Sequence, residues 1–208
     1  MPGEDMLMYV FGAERQGAIM TAHQSIALIA LGSNENSIWG DARETAQKAM
    51  LLAAQLSPAP ANCSKLYATP AFPDPTDPPF VNAAMAITVA GDATSLFDAL
   101  QDIERQAGRT RHKRWGQRTL DVDLIAFGDQ VLPDAATQTA WRALSPQAQM
   151  EQTPDRLILP HPRVQDRSFV LVPLADVAPD WRHPLLGQTV TDMLAARPAA
   201  ERDTVQPL

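Results

Sequence analysis

The chain has 208 residues, a formal net charge of −7, a hydrophobic content of 45% and a single cysteine, Cys63. This length is most simply one domain with enough apolar residues for a core. The negative charge argues against a nucleic-acid or membrane surface as the main partner. A lone cysteine cannot form an intrachain disulfide, so we expect a cytoplasmic protein.

The periodicity of apolar residues predicts six main elements after an N-terminal extension. Residues 1–24 show no clear pattern, and we expect this extension to be disordered. The pattern predicts strands over 25–31, 62–68, 80–89 and 119–127 and helices over 41–56 and 95–108, with Thr94 as the N-cap of the second helix. The order β-α-β-β-α-β is that of a ferredoxin-like sandwich, an α+β fold in which both helices cover one face of an antiparallel sheet.

The rest of the sequence adds smaller elements to this core. The segment 69–79 is rich in proline and predicts a loop. A short strand is expected over 130–133, an insertion that is helical around Trp141 and Leu144 over 134–155, and a helix over 168–177. We therefore expect one domain over 25–196 and a tail without strong pattern over 197–208.

The most basic stretch of the chain lies between residues 105 and 118. It contains no acidic residue, and its cations are Arg105, Arg109, Arg111, Lys113, Arg114 and Arg118. A basic run is usually a solvated face. In an acidic protein it is also a candidate anion site.

Two carboxylates follow this basic stretch on the predicted strand. Asp121 and Asp123 alternate with apolar residues, so their side chains point to one face with Cα atoms roughly 6–7 Å apart. Alternating aspartates are commonly a solvent-facing row, but the neighbouring arginines favour a metal. Mg²⁺ takes one or two carboxylates together with substrate phosphates. The pattern thus predicts a site for a magnesium nucleotide.

Five sequence motifs carry a resemblance to a known family. They are ALGSN at 30–34, YATP at 67–70, FVNA at 80–83, GRTRHKRWGQRTLDVDL at 108–124 and LPHPRVQDRSFVLVPL at 159–174. In this order they resemble the 6-hydroxymethyl-7,8-dihydropterin pyrophosphokinases of folate biosynthesis. The resemblance implies the ferredoxin-like fold and transfer of pyrophosphate from ATP to the pterin hydroxymethyl group, leaving AMP.

The resemblance also implies the residues that bind ATP and metal. Asp121 and Asp123 would ligate two Mg²⁺ ions. Phosphates would be held, and the reaction assisted, by arginines and a histidine: Arg118, Arg109 or Arg111, His161 and Arg167. Trp115 would close over the bound ATP. His161 could act as a neutral donor to a phosphate oxygen or as a cation, and the sequence alone leaves both roles open.

The pterin site is implied in the same way. The ring would stack between Phe80 and Phe169, with Asn82 on its edge. The backbone around Thr69, Pro70 and Phe72 would supply the remaining hydrogen bonds. Without the resemblance, Phe80 and Phe169 would be interpreted as core residues.

Some positions depart from the family pattern. Gln117 stands where a proline is usual, Pro73 and Asp77 replace residues typical of the loop, and Phe80 stands where a tyrosine is common. These changes alter loop stiffness and remove one hydroxyl, but they remove no charge.

Three other interpretations fit parts of this pattern. An RNA-recognition module has the same strand order but displays aromatics on its central strands, and residues 26–31 and 81–89 contain none. A two-metal nucleotidyl transferase or cyclase would use the aspartate pair but release pyrophosphate. A regulator with weakened catalysis would keep binding pterin or ATP. We expect a small-molecule enzyme that acts as a monomer, without nucleic-acid or membrane partners.

Overall fold

The computed structural model describes residues 24–71, 76–108 and 119–208. Over these residues the chain forms a mixed α and β structure with one open antiparallel sheet. Its strands are β1 (Gln24–Ser33), β2 (Asn62–Cys63), β3 (Tyr67–Thr69), β4 (Phe80–Ala90), β5 (Asp121–Phe127) and β6 (Gln206–Pro207). Its helices are α1 (Ala42–Ala54), α2 (Ala93–Gln106), α3 (Ala135–Arg142), α4 (Pro146–Glu151), α5 (Ser168–Val177), α6 (Val190–Ala195) and α7 (Ala199–Arg202), with a 3-10 turn over Val164–Asp166. In these ranges no helix combines the length and apolarity needed to cross a membrane.

The sheet is built around β1. The strands lie in the order β5-β1-β4-β3-β6, and β2 also pairs with β4. β1 pairs with β4 from Gln24 opposite Ala90 to Ser33 opposite Val81. Its residues Leu28 and Ile29 are at most 1% exposed although they point to opposite faces. A strand covered on both faces is apolar on both, which explains the unbroken apolar run in the sequence.

The two long helices α1 and α2 pack against one face of the sheet. Their buried residues, including Ala49 and Leu100, join Ile29 and Met85 in a single core cluster. α1 begins at a capping box formed by Asp41 and Glu44.

The N-cap of α2 is Asp92, so the prediction of Thr94 was wrong by two residues. The carboxylate of Asp92 accepts the backbone N–H groups of Thr94 and Ser95, both at 2.9 Å. Both residue types favour N-caps, but a carboxylate can satisfy two donors at once and carries the charge that a helix N-terminus prefers.

The opposite face of the sheet is covered by α5 and α6. Leu171 and Leu174 of α5 and Met193 of α6 form a second cluster with Leu28 and Ala84 of the sheet. The range predicted for α5 is confirmed at both ends. The sheet is therefore sandwiched between two helical layers, and Arg167, which precedes α5, lies beside Asp123 of β5.

The predicted strand over 62–68 is divided into β2 and β3. The pairing register with β4 shifts by one residue between Cys63 opposite Met85 and Tyr67 opposite Asn82. Between them the hydroxyl of Ser64 accepts the N–H of Ala84 at 2.8 Å. A side chain thus replaces a backbone carbonyl in the ladder, which a pattern of apolar residues does not reveal.

Three further segments differ from expectation or add to it. The strand expected over 130–133 is a single bridge between Leu132 and Leu159. The insertion over 134–155 contains both α3 and α4. The tail was expected to lack a pattern, yet it forms α7 and β6, and β6 pairs with β3. Of the expected extension 1–24, residues 1–23 lie outside the described ranges.

Candidate active site

A row of residues crosses the sheet where β1 ends and β5 begins. Asp121 of β5 lies opposite Gly32 of β1, Gly32 lies opposite Asn82 of β4, and Asn82 lies opposite Tyr67 of β3. Opposed residues of antiparallel strands share a face. Strand alternation adds three predicted site residues to that face: Asp123, Thr69 and Phe80.

The space around Gly32 explains why a glycine stands in this row. A Cβ at Gly32 would lie 3.3 Å from Oδ1 of Asn82 and 3.8 Å from Cδ1 of Phe80. The first distance is tighter than an ordinary van der Waals contact. Because Gly32 has no side chain, the space beside Asn82 and Phe80 at the centre of the row stays open.

The two aspartates are partly exposed on this face. Oδ2 of Asp123 lies 3.6 Å from Nη1 of Arg167, and about a third of each side chain is accessible. Across the described ranges, no group of three or more His, Cys, Asp or Glu side chains could hold a metal ion. A pair of carboxylates suits Mg²⁺, which needs only one or two protein ligands when phosphates complete its shell.

His161 is brought to the aspartates by an irregularity in β5. The register between β1 and β5 shifts beside Leu28, and the carbonyl of Ile125 at this point accepts the N–H of His161 at 2.8 Å. Nδ1 of His161 accepts the N–H of Arg163 at 3.1 Å, which leaves the ring proton of a neutral imidazole on Nε2.

The electrostatic surroundings of His161 keep it neutral. Desolvation, followed by the positive charge of Arg167, lowers its pKa to about 3, and the negative charge of Asp121 acts in the opposite direction. Of the two roles left open by the sequence, the free protein favours a neutral donor over a cation.

Arg167 lies between the aspartates and an aromatic ring. It precedes the first residue of α5, and its Cζ lies 5.8 Å from the ring centre of Phe169, within the range of a cation–π contact. Phe169 is 41% exposed, which is unusual for a large apolar side chain that serves the core. The interpretation of Phe169 as a core residue is thereby disfavoured.

The amide of Asn82 is held by a buried partner. Its Nδ2 donates to Oγ1 of Thr69 at 2.9 Å, and both side chains are less than 10% exposed. Nδ2 of Asn34 donates to the carbonyl of Pro78 at 3.2 Å and joins the loop after β1 to the segment before β4. Pro70 is exposed and Phe80 is partly exposed.

The remaining predicted site residues lie outside the described ranges. They are Phe72, Arg109, Arg111, Trp115 and Arg118, together with the departures Pro73 and Gln117. The structure therefore brings together Asp121, Asp123, His161, Arg167, Phe169, Phe80, Asn82 and Thr69.

Sequence reasoning missed Glu104, which supports β5 from α2. Its carboxylate is 7% exposed, and Oε1 accepts the N–H of Val122 at 2.7 Å. Val122 lies between the two aspartates, so Glu104 fixes the backbone that carries them. A glutamate at a helix position otherwise occupied by apolar residues was the one available signal.

Most of the chain resembles one family of enzymes. The family model described as 7,8-dihydro-6-hydroxymethylpterin-pyrophosphokinase matches residues 28–179. Three relatives named 2-amino-4-hydroxy-6-hydroxymethyldihydropteridine pyrophosphokinase illustrate the similarity. The relative from Pseudomonas aeruginosa is 40% identical over 65% of this chain and 70% of its own length. The relative from Haemophilus influenzae is 31% identical over 81% of this chain and 90% of its own length.

Coverage differs among the similar proteins. The Synechocystis relative is 39% identical, and the match covers 64% of this chain but 57% of the relative. The crystal structure of wild-type Plasmodium falciparum HPPK-DHPS superposes with a TM-score of 0.56 at 16% identity, over 83% of this chain and 44% of that one. This structural likeness concerns the fold alone.

Proposed function

The chain belongs to the 7,8-dihydro-6-hydroxymethylpterin-pyrophosphokinase family, and from this premise we propose that it transfers pyrophosphate from ATP to the hydroxymethyl group of 6-hydroxymethyl-7,8-dihydropterin. The hydroxymethyl oxygen forms a bond to the β-phosphorus as the bond to the α-phosphate oxygen breaks. AMP leaves with that oxygen, and the hydroxyl proton is released. The observation that carries the proposal is the position of Arg167, which contacts both Asp123 and the ring of Phe169.

The aspartates are proposed to hold two Mg²⁺ ions. The support is chemical, since Asp121 and Asp123 are partly exposed hard oxygen ligands on one face of β5. When bound, the metal neutralises charge on the phosphate oxygens. In the free protein the positive charge of Arg167 offsets the negative charge of Asp123, so this carboxylate has a partner before substrate binds.

ATP is proposed to lie along the side of the row formed by β5 and α5. His161 can donate from Nε2 to a phosphate oxygen, and Arg167 can donate from a planar fork that matches phosphate geometry. Arg109, Arg111, Trp115 and Arg118 are proposed to complete this side, on the strength of the sequence motif alone. Such transfer depends chiefly on alignment and charge neutralisation, which these groups would supply.

The pterin is proposed to bind between Phe80 and Phe169. A flat ring would fit between Phe169, which is exposed on a helix, and Phe80, which is partly exposed on a strand. Gly32 leaves space beside Asn82 for its edge. Stacking adds about 0.5–1.5 kcal/mol per ring pair beyond the area buried. Asn82 and the backbone of Thr69, Pro70 and Phe72 would bond the edge of the ring.

Several broader features belong to the same proposal. The strand order β5-β1-β4-β3 with α1 and α2 on one face supports a ferredoxin-like core. A continuous core that runs from β1 to α6 supports one domain over 25–196. We also propose that the protein acts as a monomer.

Product analysis tests this function. The protein is incubated with Mg-ATP, with and without the dihydropterin, and AMP, ADP and pyrophosphate are separated by chromatography. We expect AMP only when the pterin is present, and a loss of at least about a hundredfold in Asp121→Asn and Asp123→Asn.

The matched control is Asp129→Asn, which removes the same charge from an exposed turn just after β5. It should behave as the unaltered protein. Free pyrophosphate instead of AMP plus pyrophosphorylated pterin would indicate a nucleotidyl transferase or cyclase. AMP formed without pterin would contradict the proposed acceptor.

A further inference from the structure

The two aromatic rings of the proposed pterin slot belong to different elements of the structure. Phe80 belongs to β4, whereas Phe169 belongs to α5. α5 contacts the sheet mainly through aliphatic residues such as Leu171 and Leu174. Aliphatic packing is not directional, so it allows small shifts of a helix along its axis at low cost. The width of the slot depends on such shifts.

Three polar contacts join the C-terminal end of α5 to the sheet. The hydroxyl of Tyr67 on β3 donates to Oδ2 of Asp176 on α5 at 2.7 Å. The same carboxylate oxygen also accepts the backbone N–H of Lys65 at 3.3 Å. One residue further along α5, the carbonyl of Val177 accepts a hydrogen bond from Nδ2 of Asn62 at 3.0 Å. The C-terminal end of α5 is thus bonded to the strands beside β4.

Tyr67 and Asp176, which form the first of these contacts, are both aligned with the slot. Tyr67 lies opposite Asn82 in the ladder and two residues before Thr69, so it shares their face. Asp176 lies seven residues after Phe169, which is about two helical turns and hence nearly the same side of α5. Tyr67 is 7% exposed, and it belongs to the YATP motif without having a role in the proposed chemistry.

The hydroxyl stays a donor at all working pH values. Burial and the neighbouring Asp176 raise the pKa of Tyr67 to about 12. A neutral phenol that donates to a carboxylate forms one of the shorter and stronger kinds of hydrogen bond.

We propose that Tyr67 and Asp176 are positioning residues that fix α5 at the axial position where Phe169 stands across the pterin slot from Phe80. This rests on the proposed function, because the slot is defined by the pterin. Neither residue touches the substrate. The contact acts by setting the distance between two rings that belong to different elements.

The test separates positioning from mere stabilisation. Steady-state AMP formation and direct pterin binding are measured for Tyr67→Phe and Asp176→Leu. We expect the KM and Kd for pterin to rise roughly five- to twentyfold, while kcat and the KM for ATP change by less than about twofold. Asp176→Asn keeps an acceptor oxygen and is expected to retain most of the pterin affinity.

A double variant and a matched control complete the design. Tyr67→Phe with Asp176→Leu removes both polar partners, so its thermal stability should recover toward that of the unaltered protein, whereas the KM for pterin should stay raised. Thr137→Val removes a comparable hydroxyl–carboxylate bond, 2.8 Å to Asp134, from the exposed start of α3. It should leave the KM for pterin unchanged.

The outcomes distinguish this inference from the function on which it rests. A normal KM for pterin in Tyr67→Phe or in the double variant, with pterin-dependent AMP formation intact, overturns the positioning role and leaves the function standing. A fall in kcat alone, with unchanged pterin binding, also overturns it. Absence of pterin-dependent AMP formation in the unaltered protein overturns both.

Discussion

Arg167 and Asp123 lie close but are not tightly bonded, with Nη1 and Oδ2 separated by 3.6 Å. This distance exceeds that of a strong charged hydrogen bond. Both side chains are about one third exposed, so water screens their attraction. The pair can therefore open, with the carboxylate turning to a metal and the guanidinium to a phosphate.

The first prediction concerns this arginine. Arg167→Lys keeps the charge but loses the planar fork and the contact with the Phe169 ring, so we expect kcat/KM for ATP to fall roughly ten- to hundredfold. Initial rates of AMP formation measure the effect. Arg156→Lys, in which an exposed arginine pairs with Asp155 at 3.0 Å, serves as the control. Equal losses in the two variants would contradict a specific role for Arg167.

A second prediction concerns the buried support of β5. Glu104→Ala leaves the N–H of Val122 without its acceptor, and we expect the free energy of unfolding to fall by about 1–3 kcal/mol. Because Val122 separates the two aspartates, kcat should fall as well. Glu104→Gln keeps an acceptor oxygen and should lose less of both quantities. Urea unfolding and AMP formation, measured on the same samples, decide whether stability and activity change together.

The third prediction uses the close contact at Gly32. In Gly32→Ala the new methyl group pushes against Oδ1 of Asn82 and disturbs its bond to Thr69. We expect a higher KM for pterin with a nearly unchanged KM for ATP. Thr69→Val removes the same bond from the other side, so the two substitutions together should cost less than the sum of their separate effects. Strict additivity would argue against the shared contact.

The fourth prediction is a pH dependence of stability. Desolvation, followed by the charge of Arg142, lowers the pKa of the buried His183 to about 4 in the folded protein, against about 6.5 in an unfolded chain. Between these values the unfolded state binds the extra proton. The contribution of His183 to stability is therefore fully present above pH 6.5 and is lost as the pH falls toward 4.

Urea unfolding at pH 7 and pH 5 tests this dependence. Nδ1 of His183 accepts the N–H groups of Leu185 and Leu186, both at 3.2 Å, and His183→Asn offers a non-titrating acceptor in the same region. The variant should lose less stability than the unaltered protein between the two pH values. An identical loss would exclude His183 as a source of the acid sensitivity.

The sequence predicted the parts of the structure that follow from local patterns. The alternation around Val122 predicted two aspartates on one face, and the apolar run from Ser168 to Val177 predicted α5 at its observed ends. Both rest on periodicity, which is a property of neighbouring residues.

The features that sequence did not predict depend on residues far apart in the chain. The register shift beside Leu28 brings His161 to the aspartates, and no residue type or pattern in the sequence indicates it. The hydrogen bond from the N–H of Ala84 to the hydroxyl of Ser64 joins residues that are 20 positions apart in the chain. The residues of the Tyr67–Asp176 contact are 109 positions apart. The pairing of residues 206–207 with β3 likewise depends on the folded sheet, so the sequence pattern does not predict it.

The pairing of β6 with β3 also affects how the sheet meets other molecules. An open sheet offers the backbone groups of its outermost strands to any extended chain, which is a common start of aggregation. On one side β6 covers β3, and Pro207 within β6 has no N–H to offer. On the other side the carboxylate of Glu104 already occupies the N–H of Val122 on β5. At each margin of the sheet, part of the backbone is thus unavailable to a further strand, because of a proline in β6 at one margin and a buried carboxylate beside β5 at the other.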